Sequence, residues 1–522
     1  MTSSQACPLL LVGNSLSVLV AATERARLGL KTVVLNPGRG LGGYFAGVQV
    51  MGRRRDAGMV LFEASAFSEA GKPPSLDEYN PMKRNDVGRF MGVIRDYVRS
   101  QQPTRLIDAP QMWLEGSWMP DMMLGNGIEA MSCLSQADKI REELTAISAR
   151  IRVDSSLCHP ANKAAWPVDG AAPADWHLMT AGRSIPFDCD SISRLVHGNT
   201  LHEAMFLPYA KQVMHRDATH LSALYHRLPW LPLYWPESLL AVLDGQPTKL
   251  APTLLAHPDG STVADFCQRL IARLRQDPAI TLIEDQPLGM KREADGFKLV
   301  LAHHGELKAA RLAWAMTPGQ GLQLAGLPSA PANDERLPLA LGFFRFREDR
   351  LGRAFSFAHT VGDAVGTYRV TNSTACGAPA EPGMVNLVVE ANPRRLASVH
   401  RLDGTATDEA VIQAMLTDLQ HTGLIRALGE APAAELRRFD GALPLPTHEA
   451  VRHFLADQRA LLAAFPGIEL MSASAAPFAM GLSDQMVQGL QVASRGISED
   501  HWQSARQHAA VVGAESDALV GV

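Results

Sequence analysis

A glycine turn near the start of the chain has the spacing of a phosphate-binding loop. Gly13, Ser15 and Val18 occupy the three glycine positions of a G-x-G-x-x-G dinucleotide fingerprint, and only the first of them is glycine. In that motif the second glycine lets a pyrophosphate approach the backbone, and the third lets helix and strand pack closely. Ser15 is small and carries a hydroxyl that can donate, whereas Val18 must displace the helix or point elsewhere. The fingerprint is therefore altered at two of its three positions.

Two strands and a helix must position this turn. Residues 9–12 and 31–35 are apolar and have the length of buried parallel strands. Residues 16–28 repeat apolar side chains at helical spacing, and Gly29 follows as a helix C-cap. The order of strand, turn, helix and strand predicts one right-handed βαβ unit, with the glycine turn at the end of its first strand.

Further polar and glycine residues follow the second strand in a recognisable order. Asn36 stands where an acidic residue binds the ribose hydroxyls in many nucleotide-binding βαβ units. Gly42 and Gly43 come next, and then the segment from Asp56 to Phe62. This order resembles the flavin-binding half of the superfamily of amine oxidases, phytoene desaturases, protoporphyrinogen oxidases and UDP-galactopyranose mutases. In that group a second pyrophosphate-binding element ends in two glycines.

The resemblance implies FAD as the cofactor and assigns contacts to it. Gly42 and Gly43 match the second pyrophosphate-binding element, and Arg39 stands where the family often has a basic residue near the adenine ribose. Asp56 and Gly58 match the segment that runs beneath the isoalloxazine ring. These residues, with the glycine turn, are the expected cofactor site.

Several departures from the family pattern bear on how well FAD would bind. Ser15 and Val18 replace glycines, and Asn36 replaces an acid, so its ribose hydrogen bond lacks charge assistance. FAD is therefore expected to bind weakly, to bind through altered contacts, or not to bind. Asn36 together with Arg39 would also suit a phosphorylated ribose, which leaves NADP as a less favoured alternative.

A second block of the same pattern lies in the middle of the chain. Turn residues separate three apolar stretches, at residues 286–293, 297–302 and 306–316, which predicts a three-stranded meander. The family has such a meander, and its first strand passes the adenine. The resemblance makes the backbone at Leu288 the candidate for that contact.

A third block lies near the end of the chain. Residues 465–471 read as a turn and a strand, and residues 482–493 as a helix with Ser483 as its N-cap. The family usually has Gly-Asp at this strand end, where the present chain has residues 472–474. The last helix of the family points its N-terminal amides at the flavin, where the helix dipole favours negative charge. The resemblance therefore adds these cofactor candidates: Ser474, Asp484, Gln485 and Met486.

Two long stretches, at about 100–250 and 330–440, separate these blocks. The first is rich in tryptophan and proline, and part of it resembles the F-x-x-x-Y-x-x-K region of the UDP-galactopyranose mutase-like branch. The histidine that this branch places below its flavin has no clear counterpart near residues 58–63. No catalytic residue is singled out by the sequence, and the candidates that could meet an anionic substrate are Tyr209, Lys211, His226 and Arg227.

Composition excludes several classes of protein. The chain has 522 residues, 46% hydrophobic and 20% charged, with a net charge of −5, so it supports a large core but no general nucleic-acid surface. The six cysteines are scattered without metal-binding spacing, which predicts no metal site and reduced thiols in the cytoplasm. No uncharged apolar run reaches the roughly 18–20 residues of a membrane-spanning helix.

These observations predict an α/β (α+β) fold with a Rossmann-like FAD-binding domain, a three-stranded meander and an interleaved cap. The FAD-binding domain would comprise residues 1–100, 250–330 and 440–500, the cap residues 101–249 and 331–439, and the tail residues 501–522. The expected function is FAD-dependent oxidation or desaturation of a small or medium organic substrate. The alternative is a flavoprotein-fold pseudoenzyme that serves as a binding or scaffolding subunit. A protein partner or a homo-oligomer is compatible with either.

Overall fold

The computed structural model describes most of the chain. The described residues are 7–38, 40–63, 75–81, 89–153, 177–180, 183–186, 188–223, 231–234, 236–246, 253–331, 335–403, 406–476 and 481–497. The secondary-structure elements within these ranges are numbered in chain order. No helix among them is long and apolar enough to cross a membrane.

Seven strands form the first sheet, in the order β12-β2-β1-β15-β14-β13 with β21 paired to β15. Their bounds are β1 Cys7–Val12, β2 Thr32–Asn36, β12 Ile280–Glu284, β13 Pro287–Glu293, β14 Gly296–Leu301, β15 Glu306–Trp314 and β21 Glu469–Leu470. Strands β12, β2, β1, β15 and β21 are mutually parallel, and β13, β14 and β15 form an antiparallel meander. The predicted βαβ unit, meander and final strand are all present.

Helices cover both faces of this sheet. The helices are α1 Leu16–Arg27, α7 Val263–Gln276 and α13 Leu482–Ser494 on one face, and α8 Pro318–Leu324 and α12 His448–Ala464 on the other. The predicted C-terminal helix is therefore confirmed, but its N-cap is Gly481 and not Ser483.

Val18 stands where the fingerprint has a glycine for close packing, and the packing of α1 against α13 shows how the fold accommodates it. Val18 is fully buried in the core beneath the first sheet. The glycine that permits close approach lies instead on α13, where a Cβ at Gly489 would stand 2.6 Å from the Cβ of Val20 and 2.7 Å from the carbonyl oxygen of Ser17. The contact that needs a small residue is thus between two helices, and the small residue is on the second of them.

A second seven-stranded sheet has the order β20-β16-β19-β18-β17-β7-β8. Its strands are β7 Gln111–Leu114, β8 Ser117–Pro120, β16 Arg336–Arg347, β17 Phe357–Thr360, β18 Thr367–Asn372, β19 Met384–Ala391 and β20 Ala433–Pro444. Its pairs are antiparallel except for β17 with β7. The helices α10 Pro393–His400 and α11 Asp408–His421 cover one face.

The other elements are shorter or lie around these two sheets. The strands are β3 Val48–Val50, β4 Arg53–Arg55, β5 Phe62–Glu63, β6 Thr104–Leu106, β9 His177–Thr180, β10 Arg183–Pro186 and β11 Leu255–Pro258. The helices are α2 Met91–Arg99, α3 Ala137–Val153, α4 Cys189–Leu201, α5 Leu207–Met214, α6 Pro236–Leu243 and α9 Ser373–Cys376. A π-helical turn at His202–Phe206 joins α4 to α5.

Candidate functional site

The glycine turn after β1 and the Gly42–Gly43 turn lie side by side. Ser15 and Gly42 form an isolated parallel bridge, and the Nδ2 of Asn14 donates to the carbonyl oxygen of Gly40 at 3.3 Å. Gly13 has no room for a side chain, because its Cβ would stand 2.9 Å from the Cβ of Ala315. The two elements that the sequence assigns to the pyrophosphate are therefore brought together at the carboxyl ends of parallel strands, where such ligands bind in open α/β sheets.

Gly43 presents the open side of this turn. It adopts a left-handed φ of +55° and is exposed, while Gly42 beneath it is buried with a φ of +91°. The nearest heavy atom to a Cβ at Gly43 would be the Cα of Ser15, at 3.7 Å. Among the described residues, no atom therefore blocks the approach of a ligand to the Gly43 backbone.

Asn36 offers a buried acceptor at the same edge of the sheet. It is the last residue of β2, only 3% exposed, and among the described residues its Oδ1 has no hydrogen-bond partner. Its carbonyl oxygen accepts from the backbone N–H of Gly38 at 2.9 Å and of Asp285 at 3.1 Å. Because a buried unpaired acceptor costs about 1–3 kcal/mol, this oxygen suits a donor brought by a ligand, such as a ribose hydroxyl.

The adenosine half of FAD fits these residues. An orphaned acceptor at the end of β2 and an open glycine turn beside the end of β1 match the donor and acceptor needs of a ribose and a pyrophosphate. Leu288 lies near the start of β13 and is 62% exposed, so the residue is accessible to a ligand. Arg39, the predicted neighbour of the adenine ribose, lies outside the described residues.

Side chains at the start of α13 form hydrogen bonds with α1 and with Tyr79. The Oε1 of Gln485 accepts from the backbone N–H of Leu16 at 3.1 Å, and Met486 is fully buried. The carboxyl of Asp484 accepts from the hydroxyl of Tyr79 at 2.9 Å. Burial raises the pKa of Asp484 to about 6, with a smaller contribution from the charge of Glu63. The helix start therefore carries an acid that titrates close to neutral pH.

Ser474 does not fit the role of a cofactor ligand. Its single hydroxyl hydrogen is shared between the carbonyl oxygens of Trp314 and Met471, and its oxygen accepts from the N–H of Met471 at 3.0 Å, so its hydrogen is not free for a ligand. Ser472, two residues earlier, has a left-handed φ of +53°. That conformation favours glycine, the residue that the family usually has at this strand end.

The carboxylate of Asp56 is occupied by contacts within the fold. Its Oδ1 accepts from the N–H of Ala264 at 2.7 Å, and its Oδ2 accepts from Val263 at 3.3 Å and contacts the Nε2 of His257 at 3.1 Å. The carboxylate thus satisfies amides in the first turn of α7, where the helix dipole stabilises negative charge. Its occupied oxygens are aimed at the helix and not at a cofactor.

The backbone after Asp56 is held on two sides. The hydroxyl of Tyr44 donates to the carbonyl oxygen of Ala57, and the N–H of Met59 donates to the Oε1 of Glu390 at 2.8 Å. Between them, a Cβ at Gly58 would lie 3.0 Å from the Cδ of Glu390 and 3.1 Å from the hydroxyl oxygen of Tyr44. The segment expected beneath the isoalloxazine is therefore a rigid strip whose shape requires glycine.

A row of polar side chains on the second sheet meets this strip. His359 pairs with Arg369 across β17 and β18, and Arg369 pairs with Glu390 across β18 and β19, so the three lie side by side on one face. All three are at most 5% exposed, and Arg369 forms an ion pair with Glu390. Burial and the charge of Glu390 raise the pKa of the nearby Tyr44 hydroxyl, which therefore stays protonated.

The row continues through His359 to Tyr209 and Asp121. The Nδ1 of His359 lies 2.8 Å from Asp121 Oδ1, and its Nε2 lies 3.3 Å from the hydroxyl of Tyr209. Burial opposes ionisation of Asp121, but His359 and the N–H groups of Gly125 and Leu124 outweigh it, so its pKa is lowered. When the Nδ1–H of a neutral His359 donates to Asp121, its Nε2 is left to accept from the hydroxyl of Tyr209.

Of the catalytic candidates named from the sequence, only Tyr209 is found in this row. Tyr209 is fully buried within it, and Lys211, two positions further along α5, is exposed. His226 and Arg227 lie outside the described residues. The reasoning from sequence missed the four charged or titratable members on other elements. They are Asp121, His359, Arg369 and Glu390. The available signal was a charged residue inside otherwise apolar or β-branched strand segments, as in TYRVTN and MVNLVVEA.

The sequence matches no family model and no curated protein, whereas its fold matches solved structures over almost its whole length. The structure of reduced UDP-galactopyranose mutase has 12% identity and a TM-score of 0.64, with 97% of this chain and 99% of that chain covered. The chain has the fold of the FAD amine oxidase-like superfamily. A protoporphyrinogen oxidase-like protein from Exiguobacterium sp. 255-15 has 16% identity, covers 98% and 100% of the two chains, and has a TM-score of 0.54. Cyclohexylamine oxidase from Brevibacterium oxydans IH-35A has 13% identity, 96% and 99% coverage, and a TM-score of 0.54. The amine oxidase-like fold accounts for the βαβ unit, the meander and the C-terminal helix in one arrangement.

Proposed function

We propose that this chain is an FAD-dependent oxidoreductase that oxidises or desaturates a small or medium organic substrate. The observation that carries the proposal is the buried, partnerless Oδ1 of Asn36 beside the open Gly42–Gly43 turn. A protein that never bound a nucleotide would gain stability by pairing or removing that acceptor. The amine oxidase-like fold of the chain supports the same reading.

The residues of the first sheet would hold the cofactor. The backbone at Gly13, Ser15, Gly42 and Gly43 would face the pyrophosphate, and Asn36 would accept from the ribose. Bound FAD would supply the hydride or electron transfer, and the protein would supply binding and orientation. The strip of residues 57–59, held by Tyr44 and Glu390, would present a fixed surface beneath the flavin.

His359 on the second sheet, together with Tyr209 on α5 and Asp121 after β8, would transfer protons from the substrate. The Tyr209 hydroxyl is aligned to give its proton to the Nε2 of His359 when it receives one from the substrate, and Asp121 would stabilise the resulting imidazolium. The ion pair of Arg369 and Glu390 keeps the neighbouring strands in register around this chain of groups. We propose that the second sheet and its helices form the substrate-covering cap.

Thiol chemistry supports a reducing compartment such as the cytoplasm. Among the described residues, Cys133, Cys189, Cys267 and Cys376 are free. Burial raises the pKa of the Cys267 thiol and that of Cys376, so both stay protonated and unreactive. They behave as core side chains.

The visible absorption spectrum of the purified full-length protein tests the proposal directly. We expect flavin bands on purification, or a shift of the bands of added FAD with a saturable, stoichiometric titration. Bleaching of those bands by a substrate under anaerobic conditions would then identify the reductive half-reaction. A colourless protein that leaves the spectrum of added FAD unchanged would overturn the proposal.

A second candidate is a binding or scaffolding subunit that has lost the cofactor. The observation in its favour is that Gln485 already accepts from the N–H of Leu16, in the helix turn where a phosphate would bind. Such a subunit would remain colourless with FAD and would co-purify with a partner protein. The same spectrum therefore separates the two candidates.

A further inference from the structure

The strand next to Asn36 ends in a carboxylate. In the first sheet β12 pairs with β2 in parallel, and the register places Glu284 directly opposite Asn36. Paired residues of neighbouring strands project from the same face of a sheet and lie about 4.8 Å apart. An acid therefore stands one strand away from the position where nucleotide-binding βαβ units usually carry one.

The two side chains differ in how they are used by the fold. Glu284 is exposed, and the described residues offer its carboxylate no ion pair or hydrogen bond. Asn36 is buried, and its Oδ1 is partnerless in the same part of the chain. Two acceptors on one face, one charged and one neutral, would complement a pair of vicinal hydroxyl groups, each of which must donate a hydrogen.

We infer that Glu284 supplies the ribose-binding carboxylate that Asn36 lacks, and that it makes the site select an unphosphorylated adenosine ribose over a 2′-phosphorylated one. The inference rests on the proposed nucleotide-binding function and names its specificity. A carboxylate accepts more strongly from a hydroxyl than an amide oxygen does, because the bond is charge-assisted. The same carboxylate repels a phosphate at the 2′ position, which argues against NADP as the ligand.

The next residue, Asp285, is used within the fold. It is buried, and its Oδ2 accepts from the N–H groups of His303 and His304 at 2.9 and 2.8 Å and lies 2.8 Å from the Nδ1 of His304. Burial opposes ionisation of Asp285, but the His304 ring and these N–H groups outweigh it, so its pKa is lowered. The repulsion of a 2′-phosphate is therefore assigned to Glu284 alone.

The test compares nucleotides on the full-length protein. Dissociation constants for FAD, ADP and adenosine 2′,5′-bisphosphate are measured by calorimetry for the wild type and for Glu284→Gln. We expect the wild type to prefer ADP to the 2′-phosphorylated nucleotide by at least about tenfold, and Glu284→Gln to weaken FAD and ADP about five- to tenfold while reducing that preference. Because Glu284 is exposed, the melting temperature of the variant should be unchanged.

A second variant moves the acid back by one strand. In the double variant Asn36→Asp/Glu284→Gln the carboxylate returns to the end of β2, and we expect FAD affinity to recover toward that of the wild type. Glu430→Gln, which removes an exposed carboxylate far along the chain, is the matched control and should change nothing. Unchanged FAD affinity in Glu284→Gln, or equal wild-type affinity for the two adenine nucleotides, would overturn this inference and leave FAD binding intact. A wild type that binds neither FAD nor ADP would overturn the proposed function together with it.

Discussion

The backbone N–H of Leu16 donates a 3.1 Å hydrogen bond to the Oε1 of Gln485, a residue 469 positions further along the chain. Leu16 is the first residue of α1, so its amide is one of the four at a helix start that lack a partner within the helix. Such amides are the ones that bind phosphate groups. In this protein a side chain from α13 occupies one of them, and a cofactor pyrophosphate would have to share the helix start with Gln485.

Replacing Gln485 with alanine should separate stability from cofactor binding. The Leu16 amide would lose its buried acceptor, so the free energy of unfolding without ligand should fall by about 1–3 kcal/mol. With FAD present, a phosphate could take that amide, and the rise in melting temperature caused by FAD should exceed that of the wild type. Thermal unfolding with and without FAD measures both effects.

Gln488→Ala is the matched control for this experiment. Gln488 lies on the same helix, and its Oε1 accepts from the backbone N–H of Ser472. Its loss should lower stability by a similar amount without increasing the response to FAD. If FAD raises the melting temperature of Gln485→Ala less than that of the wild type, Gln485 is itself a cofactor contact.

Gly43 allows a test of the glycine turn that leaves the fold intact. Asparagine tolerates the left-handed φ of +55°, and within the described part of the chain the atom nearest to its Cβ would be the Cα of Ser15, at 3.7 Å. Gly43→Asn should therefore keep the wild-type melting temperature but lower FAD affinity at least about tenfold, because its side chain fills the space that a pyrophosphate needs. Gly116→Asn, at a φ of +76° with open space around it, should change neither property. Equal FAD affinity in both variants would show that the turn is not part of the cofactor site.

The local sequence pattern predicted the strands and helices of the first sheet. It did not predict the contacts that their side chains make. Apolar runs and turn residues predicted β1, α1, β2 and the meander, because these elements are determined by short-range periodicity. A serine before an apolar run is the usual signal of an N-cap and predicts Ser483 for α13, but the helix begins after Gly481. The boundary of a helix depends on the path of the preceding chain as well as on cap chemistry.

The roles of Asp56 and His359 could not have been found in this way. Asp56 caps a helix about 200 positions away in the chain, and His359 meets Asp121 across a separation of 238 residues. A single sequence contains no information on which distant strands become neighbours. The charge of Arg369 within a β-branched strand is a signal for a buried pair that the sequence analysis missed, and its partner Glu390 is defined only by the pairing of β18 with β19.

Asp484 should make the stability of the protein depend on pH. Its pKa is raised from 3.8 to about 6 in the folded chain, chiefly by burial, so the folded state favours the protonated form. The stabilising contribution is complete below pH 3.8 and is lost as the pH rises through about 6, a change of up to about 3 kcal/mol in the free energy of unfolding. Asp484→Asn removes the ionisation and keeps an acceptor for the hydroxyl of Tyr79.

Urea unfolding at pH 4 and pH 8 measures this dependence. We expect Asp484→Asn to match the wild type at pH 4 and to be more stable at pH 8. Asp138→Asn, which removes a fully exposed carboxylate in the first turn of α3, should leave the difference between the two pH values as in the wild type. If Asp484→Asn changes the free energy of unfolding by the same amount at both pH values, burial does not perturb the pKa of this acid.

The buried ion pair of Arg369 and Glu390 should be strongly coupled. Both side chains are almost fully enclosed, and Glu390 also accepts from the N–H of Met59. Glu390→Gln keeps that acceptor but removes the negative charge opposite a buried guanidinium, which should lower the free energy of unfolding by about 3–5 kcal/mol. The double variant Glu390→Gln/Arg369→Met removes both charges and should recover a large part of that loss, because no uncompensated charge is left behind.

A double-mutant cycle by urea unfolding measures this coupling. The exposed pair of Arg347 and Asp349 is the control, and Asp349→Asn there should produce only a small change, since water screens exposed charges. Additive effects at Arg369 and Glu390 would mean that the pair contributes nothing beyond its separate side chains. Strong coupling would instead identify the pair as the element that holds β18 and β19 in register beneath Gly58, and with them the strip on which the proposed flavin would lie.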